Sequence, residues 1–215
     1  MRATALALVL CWMSVAASAQ TAAPAVPQTA AAPALNPWAV TLSANIYLGQ
    51  EDGDFVMPVF AADRGALHLE GRYQYEDRRT VSAWAGWNLG WGSEVRLDVV
   101  PMAGVIVGRT NGLAPGVEAT LGWKTLEAYS EWEYVFDIEG KEGDYGYTWS
   151  TFTWQVTPWL AVGAVAQRTR LYKSELEIER GPFVAATWGR ATLSVYGFNL
   201  DGESPFAVVA FAWDF

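Results

Sequence analysis

Cysteine is all but missing from this 215-residue chain, and the single one, Cys11, falls in an apolar N-terminal stretch. Met1-Arg2, the apolar run Ala3 to Val15 and Ala17-Ser18-Ala19 ahead of Gln20 make residues 1–19 read as a cleavable secretory signal peptide. Leu10 before Cys11 is not the small residue that lipoprotein processing needs. On that reading the mature chain carries no thiol, which excludes disulfide stapling, thiolate metal sites and a cysteine nucleophile. Histidine is as scarce, with His68 alone, and no HExxH, P-loop, G-x-S-x-G or EF-hand spacing occurs. No catalytic residues, metal or cofactor are therefore expected, and the chain does not read as an enzyme. Basic charge is short too: 14 Lys and Arg, 13 once Arg2 is removed, face 23 Asp and Glu, a balance that argues against nucleic acid. After the signal peptide no apolar run approaches the roughly 18 residues of a membrane helix.

What is abundant is apolar and aromatic surface, 52% hydrophobic residues with 12 Trp and 9 Tyr. Residues 20–37 are almost wholly Ala, Pro, Gln and Thr and read as a flexible periplasmic leader. From Trp38 to Phe215 the texture changes to period-2 segments separated by short Gly, Asp, Asn, Pro and Ser clusters. Leu67, Leu69, Gly71, Tyr73 and Tyr75 alternate with His68, Glu70, Arg72, Gln74 and Glu76. Val95, Leu97 and Val99 alternate with Glu94, Arg96 and Asp98, and Ala128, Ser130, Trp132, Tyr134 and Phe136 with Glu127, Tyr129, Glu131, Glu133 and Val135. Tight turns are expected near Asp63-Arg64-Gly65, Gly92-Ser93, Lys124-Thr125, Thr157-Pro158 and Gly189-Arg190. The opposite breaks fall near Gln50 to Gly53, Asp77 to Arg79, Thr110 to Pro115, Ile138 to Asp144, Lys173-Ser174 and Asp201 to Ser204. Five turns and six loops close an all-β, antiparallel, up-and-down transmembrane barrel of about twelve strands, with ten as the fallback because Pro58 weakens the segment from Phe55 to Ala62.

Three signals favour lipid outside over a soluble barrel with an apolar core. Trp38, Trp91, Trp123, Trp159, Trp188 and Trp213 sit at strand ends beside the tight turns, as a periplasmic aromatic girdle would. Trp84, Trp87, Trp132 and Trp154 read as mid-strand. Charged residues occupy strand centres on the face opposite the apolar set, so that His68, Glu70, Arg72, Arg96, Asp98, Glu118, Glu127, Tyr129, Glu131 and Glu133 are expected to point into the lumen. The chain stops with Phe211, Trp213 and Phe215 at alternate positions, which resembles the terminal-strand signal by which outer-membrane barrels are recognised for assembly.

The run from Tyr75 to Asn88 (YEDRRTVSAWAGWN), the stretch Gly112-Leu113-Ala114-Pro115-Gly116 and the run from Glu131 to Asp137 (EWEYVFD) resemble uncharacterised outer-membrane β-barrel proteins of environmental Gram-negative bacteria. That resemblance would cover most of residues 38–215. It implies location and fold, with the lipid bilayer and the barrel assembly machinery as partners, and no substrate.

Two functions stay open on the sequence. One is a narrow, weakly cation-preferring passive channel for small solutes, since the acidic excess on the lumen face needs water. The other is a closed structural or accessory barrel with a salt-bridged lumen; an outer-membrane enzyme is a distant third. His68 reads as a packed, hydrogen-bonded lumen residue near the turn end. Glu175, Glu177 and Glu179 form an acidic ladder suited to a rim, whereas Arg168, Arg170 and Arg180 fit neither face cleanly.

Overall fold

The computed structural model describes residues 37–50, 53–140, 144–171, 177–202 and 204–215. Residues 1–19, read above as a signal peptide, most of the 20–37 segment read as a leader, Lys173-Ser174 and Glu175 lie outside them, as do the side chains of Arg170 and Glu177. Thirteen antiparallel strand segments follow one another round a single sheet: β1 (Ala39–Leu48), β2 (Phe55–Arg64), β3 (Leu67–Tyr73), β4 (Thr80–Trp87), β5 (Leu89–Trp91), β6 (Val95–Gly108), β7 (Gly112–Trp123), β8 (Leu126–Asp137), β9 (Tyr145–Thr157), β10 (Leu160–Leu171), β11 (Glu177–Trp188), β12 (Ala191–Phe198) and β13 (Phe206–Asp214). β4 and β5 both pair with β6 and are two halves of one strand interrupted at Asn88, so the wall has twelve strands. β1 pairs with β13 and closes the ring. The count is the expected twelve rather than the fallback ten.

Each of the five expected turns is present. Gly65 (φ 61°) and Gly189 (φ 62°) open two-residue connections in the left-handed conformation that tight hairpins require, and Lys124 (φ 55°) does the same without glycine's freedom. One expectation fails: the break expected at Thr110 to Pro115 is shorter, since Gly112 to Pro115 already belong to β7 and the reversal is confined to residues 109–111. Gly112 and Pro115 look like punctuation in a sequence window, yet Ile106↔Gly112 and Ala103↔Pro115 are registered pairs.

Proline's missing N–H explains how β2 survives. Pro58 pairs with Ala44 of β1, while the ladder to β3 begins only at Val59↔Arg72, so the side lacking a donor faces no partner. The same logic holds at the other strand prolines. Pro182 precedes the first β11–β12 pair, Phe183↔Tyr196. Pro101 stands opposite the break between Gly86↔Met102 and Leu89↔Val99. Pro115 lies in the gap between Leu113↔Phe136 and Gly116↔Glu133.

Alternation sends one set of side chains out and the other in, and the outward set is apolar. Leu42, Phe60, Val81, Val105, Leu113, Phe152 and Phe211 are all exposed. The six turn-side tryptophans, Trp38, Trp91, Trp123, Trp159, Trp188 and Trp213, are exposed as well. Trp87 and Trp154 join them rather than standing mid-strand, since Trp87 pairs with Leu67 at the start of β3 and Trp154 with Leu126 at the start of β8.

Candidate functional site

Consecutive inward positions of β3 place His68, Glu70 and Arg72 in one column, and around them a buried ionic cluster fills part of the barrel interior. His68 bonds through Nδ1 to Asp63 at 2.8 Å and through Nε2 to Glu70 at 3.0 Å. Arg72 donates from Nε to Glu70 at 2.5 Å. Across the lumen β8 brings in Glu131, 3.0 Å from Arg72 Nη1, and Glu133, which accepts a hydrogen bond from the same nitrogen. Glu118 of β7 stands 4.0 Å from Nη2. The guanidinium also lies against aromatic faces, 4.3 Å from the Tyr75 ring centroid and 4.7 Å from that of Trp84.

The segment between β3 and β4 turns inward to complete this cluster. Gln74 (φ 57°) and Arg79 (φ 59°) bend it at either end. Tyr75 donates to Glu131 at 2.5 Å, Trp84 Nε1 donates to Glu76 at 3.0 Å, and Tyr145 donates to the Glu76 carbonyl. Trp84 can lie flat across the inner wall because Gly104 offers no side chain: a Cβ there would come within 2.4 Å of the ring. The result is five buried glutamates, Glu70, Glu76, Glu118, Glu131 and Glu133, around one guanidinium and one imidazole. Glu118 and Glu131 are even direct cross-strand partners, an arrangement in which like charges repel.

A second interior cluster is aromatic. Trp149 of β9 meets Tyr196 and Phe198 of β12 at centroid distances of 5.4 and 5.5 Å, although two strands separate them in the wall. Phe198 stacks on Phe206 at 4.6 Å, and Tyr47 on Phe55 at 4.6 Å. Sequence reasoning missed this layer. Its signal was available: in Tyr196 and Phe198, and in Phe206, Val208 and Ala210, the face opposite the outward set carries rings and aliphatics, so the loop-side halves of β12 and β13 are apolar on both faces.

The ten residues expected to line the lumen fall into two groups. His68, Glu70, Arg72, Glu118, Tyr129, Glu131 and Glu133 are buried and come together. Arg96, Asp98 and Glu127 do not join them. They lie toward the turn end, where Arg96 bonds Asp98 at 2.5 and 3.0 Å and both keep solvent access, 35% and 20% of the side chain. The interior is thus wetter at the turn end and packed beyond it. His68, Glu70 and Glu118 could in principle share a cation, their donor atoms lying within 4.8 Å of one another. Both imidazole nitrogens are already engaged and Arg72 faces Glu70, so the donor set is better described as part of the ion-pair network.

Among solved structures, a KdgM porin aligns over 82% of this chain and 99% of its own, at 10% identity and a TM-score of 0.58. A KdgM porin in complex with disordered oligogalacturonate aligns over the same shares at 10% identity and a TM-score of 0.61. The chain has a porin-type barrel fold. A third barrel, from work on in-meso crystallization of membrane proteins, is 14% identical with a TM-score of 0.55, covering 82% of this chain and 83% of that one. No protein-family model matches the chain, and no curated protein does.

Proposed function

We propose that this protein is a passive outer-membrane channel for small solutes, narrow and cation-preferring, with its constriction at Arg72 and the carboxylates around it. The excess of five lumen glutamates over Arg72 and His68 carries this reading. Carboxylates that internal pairing cannot neutralise must take up protons or find water or mobile cations, and an open lumen supplies the latter. The porin-type fold supports it, and twelve strands lie between the eight whose interior side chains fill and the sixteen that leave a wide aqueous pore. On this reading Arg96, Asp98 and Glu127 line a periplasmic vestibule. His68, Glu70, Arg72, Glu118, Tyr129, Glu131 and Glu133 line the narrow zone. The oligogalacturonate held by the porin neighbour is an acidic sugar chain, which an acidic lumen repels, so the solutes here are neutral or cationic.

A closed accessory barrel is the second reading, favoured by the complete burial of Trp149, Tyr196, Phe198 and Arg72. Planar-bilayer recordings of the refolded mature protein separate the two. A channel gives small, cation-selective steps whose selectivity falls in the Glu131→Gln, Glu133→Gln double variant. Protein that inserts but stays silent overturns the channel and leaves the closed barrel.

A further inference from the structure

Arg168 stands on the wrong face for a lumen residue. β10 turns Ala161, Val165 and Gln167 inward, while Ala164, Ala166 and Arg168 face out, and Arg168 is exposed. An outward arginine is costly at the bilayer midplane and close to free at the interface. Trp159, in the turn that opens β10, marks one interface. Nine residues on, along a strand tilted by about 40°, Arg168 stands roughly 23 Å away, close to the full height of an apolar band of about 25 Å. Its guanidinium is therefore level with the headgroups of the opposite leaflet.

Beside it the outer wall is hollowed. Val117, Trp132, Thr148 and Arg168 form one cross-strand row, and Tyr134 pairs with Gly146 in the next. Because Gly146 has no side chain, the rings of Trp132 and Tyr134 border a groove of about 470 Å³ that Arg168 also lines. Glu133 contributes to the same wall, but its carboxylate is turned inward onto Arg72. Among the described residues no carboxylate pairs with Arg168, whereas Arg180, also outward and exposed on β11, has Asp201 at 3.9 Å.

We infer that this groove binds one membrane lipid, with a phosphorylated headgroup on Arg168 and an acyl chain laid between Trp132 and Tyr134. The inference rests on the membrane location proposed above. Planar guanidinium suits phosphate oxygens in two-point contact, and the Thr148 hydroxyl lies next to it in register. An apolar slot ending in a cation that no carboxylate of the described residues pairs complements an anionic amphiphile, not free phosphate.

The test is native mass spectrometry of the refolded mature protein in detergent. Its probes are diphosphoryl lipid A, the same lipid dephosphorylated, and inorganic phosphate. The expected result is one tightly held diphosphoryl lipid, bound roughly tenfold more weakly or worse by Arg168→Gln. Arg168→Lys should retain more binding than Gln, and Arg180→Gln should bind as wild type. Gly146→Ala should weaken binding by narrowing the slot without a clash, since a Cβ there meets Tyr134 at an ordinary 3.7 Å, and Gly146→Val should weaken it further. Equal binding of the dephosphorylated lipid, binding of inorganic phosphate alone, or wild-type affinity in both Arg168→Gln and Gly146→Val overturns the site. Each variant is first checked for the barrel's heat-sensitive gel mobility and for insertion into vesicles. Failure of the wild type to insert refutes the membrane location, whereas normal insertion without lipid selectivity refutes only the groove.

Discussion

Arg72→Met keeps an unbranched side chain of similar reach in the barrel while deleting the charge that three carboxylates share. The arginine side chain is fully buried, with Glu70 at 2.5 Å, Glu131 at 3.0 Å and Glu133 bonded to the same Nη1 as Glu131. Removing one partner of a buried ionic cluster strands the others without solvent, at a cost of about 3–5 kcal/mol. Here the stranded groups also repel one another, so the upper half of that range is expected. Urea unfolding of the protein refolded into lipid vesicles at neutral pH, followed by tryptophan fluorescence, measures the loss. A second variant isolates its cause: Arg72→Met combined with Glu70→Gln, Glu131→Gln and Glu133→Gln restores most of the stability, because the three carboxylates nearest the guanidinium are then uncharged and no longer need it. A cost below about 1 kcal/mol for Arg72→Met alone would refute the reasoning, since it would mean that water screens the cluster as it screens a surface pair. A large cost that the triple neutralisation fails to recover would place Arg72's contribution in packing against Tyr75 and Trp84 instead.

Other consequences are as direct. Gly181→Ala should cost about 3 kcal/mol or prevent refolding, because its Cβ would fall 1.6 Å from the Gly197 carbonyl oxygen, a backbone atom that cannot step aside; wild-type unfolding of this variant would count against the β11–β12 approach. Lipids brominated near the headgroup should quench tryptophan emission more than lipids brominated at the chain ends, because Trp38, Trp87, Trp91, Trp123, Trp154, Trp159, Trp188 and Trp213 gather at the turn end. The reverse order would remove the girdle. Deleting Phe215 should lower the amount of assembled barrel in cells while leaving refolding into vesicles unchanged, if Phe211, Trp213 and Phe215 act as an assembly signal; equal losses in both settings would make the residue merely structural.

The wall of this barrel was legible because side-chain alternation has an exact period and every turn is short. Charged His68, Glu70 and Arg72 against apolar Leu67, Leu69 and Tyr73 admit only one assignment of faces. Glycine and proline misled where they serve packing instead of reversal, as Gly112 and Pro115 do at the start of β7. The interior was half legible. Which side chains point inward follows from parity, but which of them touch depends on strand tilt and stagger, which no local window contains. Hence parity puts Glu118, Glu131 and Glu133 on one face with Arg72 in reach of a salt-bridged network, while which of them pair with Arg72 depends on the assembled wall. The inward bend of Tyr75 and Glu76 escaped for the same reason, since a loop's direction is set by what it finds to bond. Arg168 and Arg180 fit neither face cleanly in the sequence because an outward charge runs against an apolar wall, yet parity puts both outside.

The seam between β1 and β13 has a kinetic meaning. Thr41 donates to Asp214 at 2.7 Å across 173 positions of sequence, and Phe215 N–H reaches the Val40 carbonyl. Every other ladder joins neighbours along the chain and can zip as hairpins, but this one cannot exist until the last residues arrive. Until then two open edges, each a template for pairing with another molecule, must be kept apart. Without β13 the sheet would expose the edges of β1 and β12, so the β1–β13 ladder works as the latch that removes both.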